Sequence, residues 1–338
     1  MDTFVHDNSR PALPAVDTNG CGTQRGRSRK GKPARADASP VCPPPAPGAE
    51  IRPGWHALSE EDYHADPCPS PSLSSHAAMT IISESLMHAW LHHPRSPLFA
   101  ARTLGAAADR GSAAHALLFG GKEVEAIDAE DFRTGAAREA RDRARASGRI
   151  PLLAKDAHAL ATMIEPARER FAELYGSPFL SEQSALWRAG DGWRRARIDS
   201  LSADRGMIVD YKTTEGAVDP LSCERRIADM GLQIQAAAYV EAVETLHPEL
   251  TGRVRFIFQW QEQRAPYALS PPMEMSEAFL SLGRAQWQAA CHLWDKAIRH
   301  GAFPGFSPHP HLACPPPWEL SRWEERMRQD LMNDGAAS

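Results

Sequence analysis

The chain has no run of about 20 consecutive apolar residues, and its N-terminus lacks the hydrophobic core of a signal peptide. These absences argue against a membrane span, and we expect a soluble, intracellular protein. An excess of positive charge is also missing, because the formal net charge of the 338 residues is −5. No overall field therefore attracts the chain to nucleic acid, and any such contact must come from a local groove.

Clustered cysteines are absent as well. The chain has six cysteines, and no two of them lie two or three residues apart. This spacing argues against a zinc ribbon and a clustered iron–sulfur site, and it is typical of free thiols in a reducing compartment. What the sequence does contain is 42% hydrophobic residues, which is enough to build a real core.

Composition divides the chain into three parts. Residues 1–52 are rich in Pro, Gly, Ser and Arg and nearly free of large apolar residues. They cannot bury enough surface to offset the entropy of ordering, so we expect a disordered, basic, Pro-rich tail. Residues 53–320 carry the apolar periodicity of a folded domain. Residues 321–338 are typical of a polar C-terminal helix or tail.

Apolar periodicity, capping residues and turn residues predict alternating helices and strands within residues 53–320. The expected helices span residues 73–92, 106–119, 129–146, 153–175, 220–246 and 276–300. The expected strands span residues 185–189, 195–201, 207–213, 254–260 and 267–270. The first three strands follow one another through short turns, and this order predicts an antiparallel meander.

The second and third strands of this meander bring two aspartates together. A tight turn centred on Asp204 and Arg205 pairs position 203 with position 206, and the same register pairs Asp199 with Asp210. The two side chains then face each other with Cβ atoms about 5 Å apart, and Lys212 points from the same face. Like charges in this arrangement destabilise a sheet unless a cation lies between them. The hairpin therefore predicts a site for a divalent metal with hard oxygen ligands, with a lysine beside it.

The same pattern allows a less specific interpretation. An acidic pair with a lysine in a hairpin is often a solvated sheet face. The apolar run at residues 207–209 favours a functional site, because it indicates a strand that enters a core, where unpaired charges are costly. The hairpin alone leaves both interpretations open.

Three further features accompany the hairpin. His115 lies among small residues in the middle of the expected helix 106–119, where a lone histidine is usually a core residue but where a ligand has room to approach. Gln235 and Tyr239 are four residues apart on one face of a helix, a spacing that is common in purely structural pairs. The meander also carries a local basic patch that suits a phosphate backbone, and its members are Arg188, Arg194, Arg195 and Arg197.

Together these motifs resemble the signature of the PD-(D/E)XK nucleases. The matching segments are residues 111–115, residues 182–184 with Trp187, residues 197–199, residues 210–214 and residues 235–239. Residues 58–64 and 70–74 resemble the opening part of RecE-type exonucleases (exonuclease VIII) of phages and prophages, and the likeness covers about residues 55–320. Ile198 stands where the signature usually has proline, a position that shapes the backbone and supplies no ligand.

This resemblance implies an α/β (α+β) restriction-endonuclease-like core, in which helices flank a central mixed β-sheet with an antiparallel meander. It implies a Mg²⁺-dependent DNA exonuclease, with Mn²⁺ able to substitute, that digests linear double-stranded DNA from 5′ to 3′. The 3′ single strands that remain would serve recombination by strand annealing. The implied partners are duplex DNA ends, a RecT-like annealing protein and a ring-shaped homo-oligomer. The implied location is the cytoplasm of a bacterial or phage-infected cell, without a membrane contact.

The resemblance also implies a role for each candidate residue. The expected catalytic residues are Asp199, Asp210, Lys212 and Glu182. The expected metal ligands are His115, Asp199, Asp210 and the backbone carbonyl of Tyr211. The expected DNA-binding or supporting residues are Gln235, Tyr239, Arg188, Arg195 and Arg197. Within these sets Lys212 orients the attacking water and stabilises the transition state, whereas Glu182 binds the metal directly or through water.

Two other functions fit parts of the pattern. A DNA-end-binding recombination component with a silent nuclease site would share the fold, but the intact Asp199, Asp210 and Lys212 argue against it. A Cas4-like nuclease would carry an iron–sulfur cluster, and the scattered cysteines argue against that. Incubation with linear duplex DNA, with and without Mg²⁺, separates a silent site from an active one.

Overall fold

The computed structural model describes residues 51–99, 106–120, 122–175 and 179–335. Within these residues the strands are β1 (Gly54–His56), β2 (Leu73–Ser74), β3 (Val124–Ile127), β4 (Ile150–Leu153), β5 (Phe179–Ala189), β6 (Gly192–Ser202), β7 (Met207–Thr214), β8 (Arg255–Glu262) and β9 (Met273–Glu274). The helices are α1 (Glu60–His64), α2 (Ser75–Ser83), α3 (Leu86–Leu91), α4 (Ala106–Phe119), α5 (Gly135–Ala146), α6 (Ala154–Tyr175), α7 (Pro220–Asp229), α8 (Leu232–Leu246), α9 (Glu277–His300) and α10 (Pro317–Gly335). The expected tail, as far as residue 50, lies outside the described residues.

The central sheet is mixed, as the sequence predicts. Its strand order is β1-β5-β6-β7-β8-β9, and β2 attaches to β6. The strands β5, β6 and β7 form the expected antiparallel meander, whereas β7 pairs with β8 in parallel and β2 pairs with β6 in parallel. A separate two-stranded parallel sheet, β3 with β4, has no counterpart among the expected strands.

Helices cover both faces of this sheet. One apolar cluster joins Ile208 of β7 to residues of α2, α8 and α9, including the fully buried Trp287 and Trp294. The other cluster joins Val209 and Tyr211 of β7 to residues of α4 and α6. Because successive side chains of a strand point to opposite faces, β7 is buried on both sides. No described helix is long and apolar enough to cross a membrane.

Two of the expected helices are interrupted. The helix predicted at residues 73–92 is divided into α2 and α3, because Ser85 has extended backbone and its hydroxyl accepts a hydrogen bond from the His88 N–H as an N-cap. The helix predicted at residues 220–246 is divided into α7 and α8 at Gly231. This glycine has a φ of 68°, in the left-handed region that ends a helix. The break separates α7 from α8, and α8 carries Gln235 and Tyr239.

Three boundaries also differ from the expectation. The helix α5 begins at Gly135 rather than at residue 129, because the Thr134 side chain accepts a hydrogen bond from the Ala137 N–H as an N-cap. The strand β5 begins at Phe179 rather than at residue 185, so it includes Glu182. Residues 267–270 contribute an isolated bridge to β8 instead of a strand.

The contact between α8 and α9 depends on Gly283, where a Cβ atom would lie 2.0 Å from the backbone oxygen of Gln233. We expect Gly283→Ala to lower the free energy of unfolding by about 2–4 kcal/mol, because the two helices must separate to relieve the clash. Gly135→Ala is the matched control, since nothing lies within 4 Å of its Cβ position. Urea unfolding of both variants checks the prediction, and equal midpoints would contradict it.

Candidate active site

The expected catalytic aspartates lie near the point along β6 where its neighbouring strand changes from β2 to β7. Leu201 of β6 pairs with Ile208 of β7, which is the register predicted for the hairpin, and Asp199 and Asp210 are each two residues further along that register. Towards its start, β6 pairs instead with β2, at residues 73–74. In the described residues Leu201 with Ile208 is the one ladder pair between β6 and β7. The segment of β6 that contains Asp199 therefore faces an opening in the sheet.

The turn between β6 and β7 gives the predicted register, but it is centred one residue earlier than predicted. The Arg205 N–H donates to the Ser202 carbonyl at 2.8 Å, so the tight turn is centred on Ala203 and Asp204 rather than on Asp204 and Arg205. Arg205 then takes a left-handed φ of 58°, and the Asp204 carboxylate accepts a hydrogen bond from the Gly206 N–H at 3.0 Å. Two extra turn residues on the β7 side, Arg205 and Gly206, compensate for the shift, so the aspartates keep their expected positions.

Asp210 is a buried carboxylate with two partners. Its side chain is 1% exposed, and its Oδ1 atom lies 2.5 Å from Nζ of Lys212. Its Oδ2 atom accepts a hydrogen bond from Nε2 of Gln235 at 2.8 Å. The helix α8 therefore braces Asp210 directly, whereas the sequence predicted that Gln235 contacts DNA or braces Lys212. A buried carboxylate held in this way cannot reorient freely.

Lys212 stays a cation in this environment. Burial alone would lower the pKa of its ammonium group, but the charges of Asp210 and Asp199 outweigh burial and raise that pKa. Tyr239 lies one turn beyond Gln235 on α8 and is also buried. Burial raises the pKa of its phenol well above the usual value, and the nearby phenol of Tyr63 and the carboxylates act in the same direction. Tyr239 is therefore a neutral hydroxyl beside the aspartates.

Asp199 is positioned from the opposite side by α4. Its Oδ2 atom lies 3.3 Å from Nδ1 of His115, and the imidazole packs at 5.6 Å from the ring of Tyr211. Burial raises the pKa of Asp199 to about 6; His115 and Lys212 lower it, while the charges of Asp210 and Glu182 raise it further. The structure thus brings His115, Asp199, Asp210 and Lys212 to one opening.

Glu182 occupies the same level of the sheet on β5. Its neighbours Ser181 and Gln183 pair with Ser200 and Ile198, so Glu182 lies beside Asp199, and its φ of 55° interrupts the ladder there. The carboxylate lies 2.5 Å from Nε of Arg197. Arg197 is therefore the partner of Glu182.

The expected basic patch does not form as an open surface. Arg194 is 1% exposed and binds the Asp295 carboxylate through two nitrogens, at 3.0 and 2.7 Å. Arg195 is 5% exposed and donates to Ser72, and its guanidinium lies 3.2 Å from the Asp66 carboxylate. These arginines hold the fold together because a buried guanidinium needs paired acceptors. Of the two roles expected of Arg195, DNA contact or support, its burial favours support.

The other two expected DNA-binding arginines differ from Arg195. Arg188 is exposed, near the β5–β6 turn, where its guanidinium lies over the Trp193 ring at 5.9 Å from the centroid. Arg197 is partly exposed, and besides Glu182 it donates to the backbone oxygen of Leu58 at 3.0 Å. That bond ties the segment before α1 to the opening, a contact between residues 139 positions apart that the sequence alone did not indicate.

The backbone carbonyl of Tyr211 also faces this opening. The carbonyls of Gly206 and Thr214 accept hydrogen bonds from backbone amides of the β8 segment. Carbonyls of successive residues in a strand point to alternate edges. Tyr211 is an odd number of residues away from both Gly206 and Thr214, so its carbonyl points to the other edge of β7, towards β6.

These donors suit a hard divalent cation. Asp199 and Asp210 supply carboxylate oxygens, and the buried Oδ1 atom of Asp210 has its ion pair with Lys212 but no hydrogen bond of good geometry. Among the described residues, no three or more His, Cys, Asp or Glu side chains lie close enough together to hold a metal ion by themselves. Two carboxylates with a backbone carbonyl are compatible with Mg²⁺, which keeps several of its waters and takes one or two protein carboxylates.

The raised pKa of Asp199 predicts a pH-dependent stability in the presence of a chelator. The folded state holds this proton up to about pH 6, whereas the unfolded chain releases it near pH 4, so the stability conferred by the protonated carboxyl is lost as pH rises through this window. We expect Asp199→Asn to become more stable than the wild type above about pH 6, by roughly 1–3 kcal/mol. Urea unfolding between about pH 4 and pH 7.5 tests this, and parallel curves would contradict it.

Residues 88–326 match the model of the PD-(D/E)XK nuclease superfamily. The match spans more than half of the chain and contains the opening with its aspartates and lysine. The chain therefore belongs to the PD-(D/E)XK nuclease superfamily, and it is a nuclease of that class. Nucleases of this superfamily generally use divalent metal ions.

Among solved structures, the chain is similar to a candidate exonuclease from Eubacterium rectale. The TM-score is 0.51 at 11% sequence identity, and the alignment covers 77% of this chain and 96% of the other. At this identity the likeness concerns the fold. No curated protein matches the sequence significantly.

Proposed function

We propose that this nuclease is a Mg²⁺-dependent DNA exonuclease that digests linear double-stranded DNA from its 5′ ends. The observation that carries the proposal is the buried ion pair between Asp210 and Lys212, placed beside Asp199 at the opening between β6 and β7. The similarity to a candidate exonuclease over almost its whole length supports exonuclease action in particular. The 5′ polarity rests on the resemblance to RecE-type enzymes.

In this proposal, the residues at the opening have separate roles in phosphodiester hydrolysis. Asp199, Asp210 and the Tyr211 carbonyl would hold the metal, with His115 as a further ligand through Nδ1. When bound there, a divalent metal lowers the pKa of a coordinated water and neutralises charge on the phosphate. Lys212 keeps its proton, so it acts as a fixed positive charge beside the phosphate where negative charge develops. Glu182, which Arg197 holds, would orient a metal-bound water.

We further propose that the product is a duplex with 3′ single-stranded tails for recombination by strand annealing. A RecT-like annealing protein would consume these tails, and a ring-shaped oligomer would keep the enzyme on its substrate. The support for both partners is the sequence resemblance of residues 58–64 and 70–74 to RecE-type exonucleases.

Digestion of end-labelled duplexes tests the central proposal. Linear DNA labelled at either the 5′ or the 3′ end is incubated with Mg²⁺, Mn²⁺ or a chelator, and a closed circle is the control. Early release of the 5′ label in Mg²⁺ or Mn²⁺, with the circle untouched, is the expected result. Rapid cutting of the circle would instead identify an endonuclease, and binding of ends without digestion would identify a silent site.

A further inference from the structure

Gly111 occupies a position in the interior of α4 where glycine is unfavourable. It follows five residues of this helix, which runs from Ala106 to Phe119. Glycine destabilises a helix interior relative to alanine, because it loses more backbone freedom on folding. Two things can require a glycine there, namely close packing against another part of the chain or a ligand that approaches the backbone.

Packing within the described chain does not require Gly111. A Cβ atom at this position would meet no described atom within 4 Å. Gly283 in the interior of α9 differs, since its Cβ atom would lie 2.0 Å from the backbone oxygen of Gln233. The other described glycines with a free Cβ position have a left-handed φ or begin a helix; they are Gly120, Gly135, Gly148, Gly190, Gly252 and Gly301. A ligand therefore remains as the reason for Gly111.

Gly111 lies beside the opening that holds the aspartates. It is partly exposed and lies one helical turn before His115, on the same side of α4, whereas the fully buried Ala113 and Ala114 face the core. Side chains of a helix lean towards its N-terminus, so the His115 imidazole leans towards the turn of Gly111. This imidazole lies 3.3 Å from the Asp199 carboxylate, and the two side chains are 23% and 21% exposed. A long ligand that reaches them from solvent extends over the turn of Gly111.

The position of Gly111 within α4 limits the kind of contact that it can make. It lies beyond the first turn of the helix, so its N–H group bonds to a carbonyl of the preceding turn and cannot bind an anion. Without a side chain, Gly111 contributes neither charge nor a further donor. What it provides is room for a bulky group against the helix backbone, and in a DNA strand the sugar ring beside a phosphate is such a group.

We propose that Gly111 makes room for the sugar–phosphate backbone of the DNA strand that is cut, which passes against α4 as its phosphate reaches Asp199 and Lys212. This role rests on the proposed function, and it makes Gly111 a positioning residue for the substrate strand. A side chain at position 111 would hold the strand away from the carboxylates. Misplacement of a substrate by about 1 Å can cost about 10²-fold in rate.

Replacement of Gly111 by alanine and by leucine tests this role. We expect kcat/KM on linear duplex DNA to fall about 10-fold in Gly111→Ala and about 100-fold in Gly111→Leu. The urea midpoint of Gly111→Ala should rise by about 0.2–0.5 M, because alanine favours the helix. Mg²⁺ binding without DNA, measured by calorimetry, should stay unchanged in both variants. Gly135→Ala in α5 is the matched control and should leave the rate unchanged.

A variant that is more stable and yet less active separates a substrate contact from a structural role. Wild-type rates in both variants would overturn the role of Gly111, as would a Gly111→Ala protein that is less stable or binds Mg²⁺ more weakly than the wild type.

Fluorescence anisotropy of labelled duplex DNA in Ca²⁺ measures binding apart from cleavage, and Gly111→Leu should bind at least 10-fold more weakly. A wild-type protein that binds DNA without cutting it would refute the proposed function, and this difference in binding would still test Gly111. Equal DNA affinity of Gly111→Leu and the wild type would overturn the role of Gly111, whatever the rate of cleavage.

Discussion

Replacing Asp210 by alanine is expected to abolish Mg²⁺-dependent digestion of linear duplex DNA, with a loss of about 10³-fold or more. The carboxylate is 1% exposed, it holds Lys212 through an ion pair, and it is oriented by Gln235. The alanine variant loses the two carboxylate oxygens that we propose as metal ligands, and it leaves Lys212 without its nearest counter-charge. Initial rates on end-labelled DNA over a Mg²⁺ titration measure the loss.

Two variants make this result specific. Asp210→Asn keeps an acceptor for Gln235 at nearly the same volume, so it should fold as the wild type does and remain inactive. Asp191→Asn removes an aspartate of the neighbouring β5–β6 turn, whose side chain is 86% exposed, and it should retain full activity. Digestion at the wild-type rate by Asp210→Ala would refute the assignment of this residue.

Replacing Lys212 by methionine is expected to lower the rate of cleavage by about 10²–10³-fold. The methionine side chain has a similar length, but it provides no charge to the phosphate as negative charge develops. Because the carboxylates at the site remain, Mg²⁺ binding measured by calorimetry should persist. A loss of rate at saturating DNA and metal, without a loss of metal binding, is the outcome that distinguishes a catalytic lysine from a structural one.

The same variant should also be less stable in the presence of a chelator, by about 1–3 kcal/mol, because Asp210 stays buried without its cationic partner. Lys296→Met, at an exposed position of α9, is the matched control and should change neither activity nor unfolding. Equal rates for Lys212→Met and the wild type would remove Lys212 from the mechanism.

The core of the site follows from short-range sequence information. The facing of Asp199 and Asp210 depends on an eleven-residue separation within one hairpin, and the register at Leu201 and Ile208 agrees with it. The alternation of side chains along β7 then places Lys212 beside Asp210. Both rules act over a few residues, so one sequence is enough to apply them.

What the sequence did not predict depends on distant partners. The guanidinium of Arg195 is buried because Asp66 and Ser72, more than 120 positions away, approach it from the segment before β2. Gln235 donates to Asp210 from α8, which is a separate helix after the break at Gly231. Glu182 and Arg197 were both expected to serve the substrate or metal, yet they pair with each other. Periodicity cannot reveal such contacts.

The attachment of β1 and β2 to the sheet decides what the smallest independently folding fragment can be. The superfamily match begins at residue 88, after both strands. A fragment that begins at residue 88 would lack β1, so that edge of β5 would be unpaired. It would also lack Asp66, the carboxylate partner of Arg195. An unpaired strand edge pairs with other chains, and a buried charge without a partner destabilises the fold. We therefore expect such a fragment to aggregate.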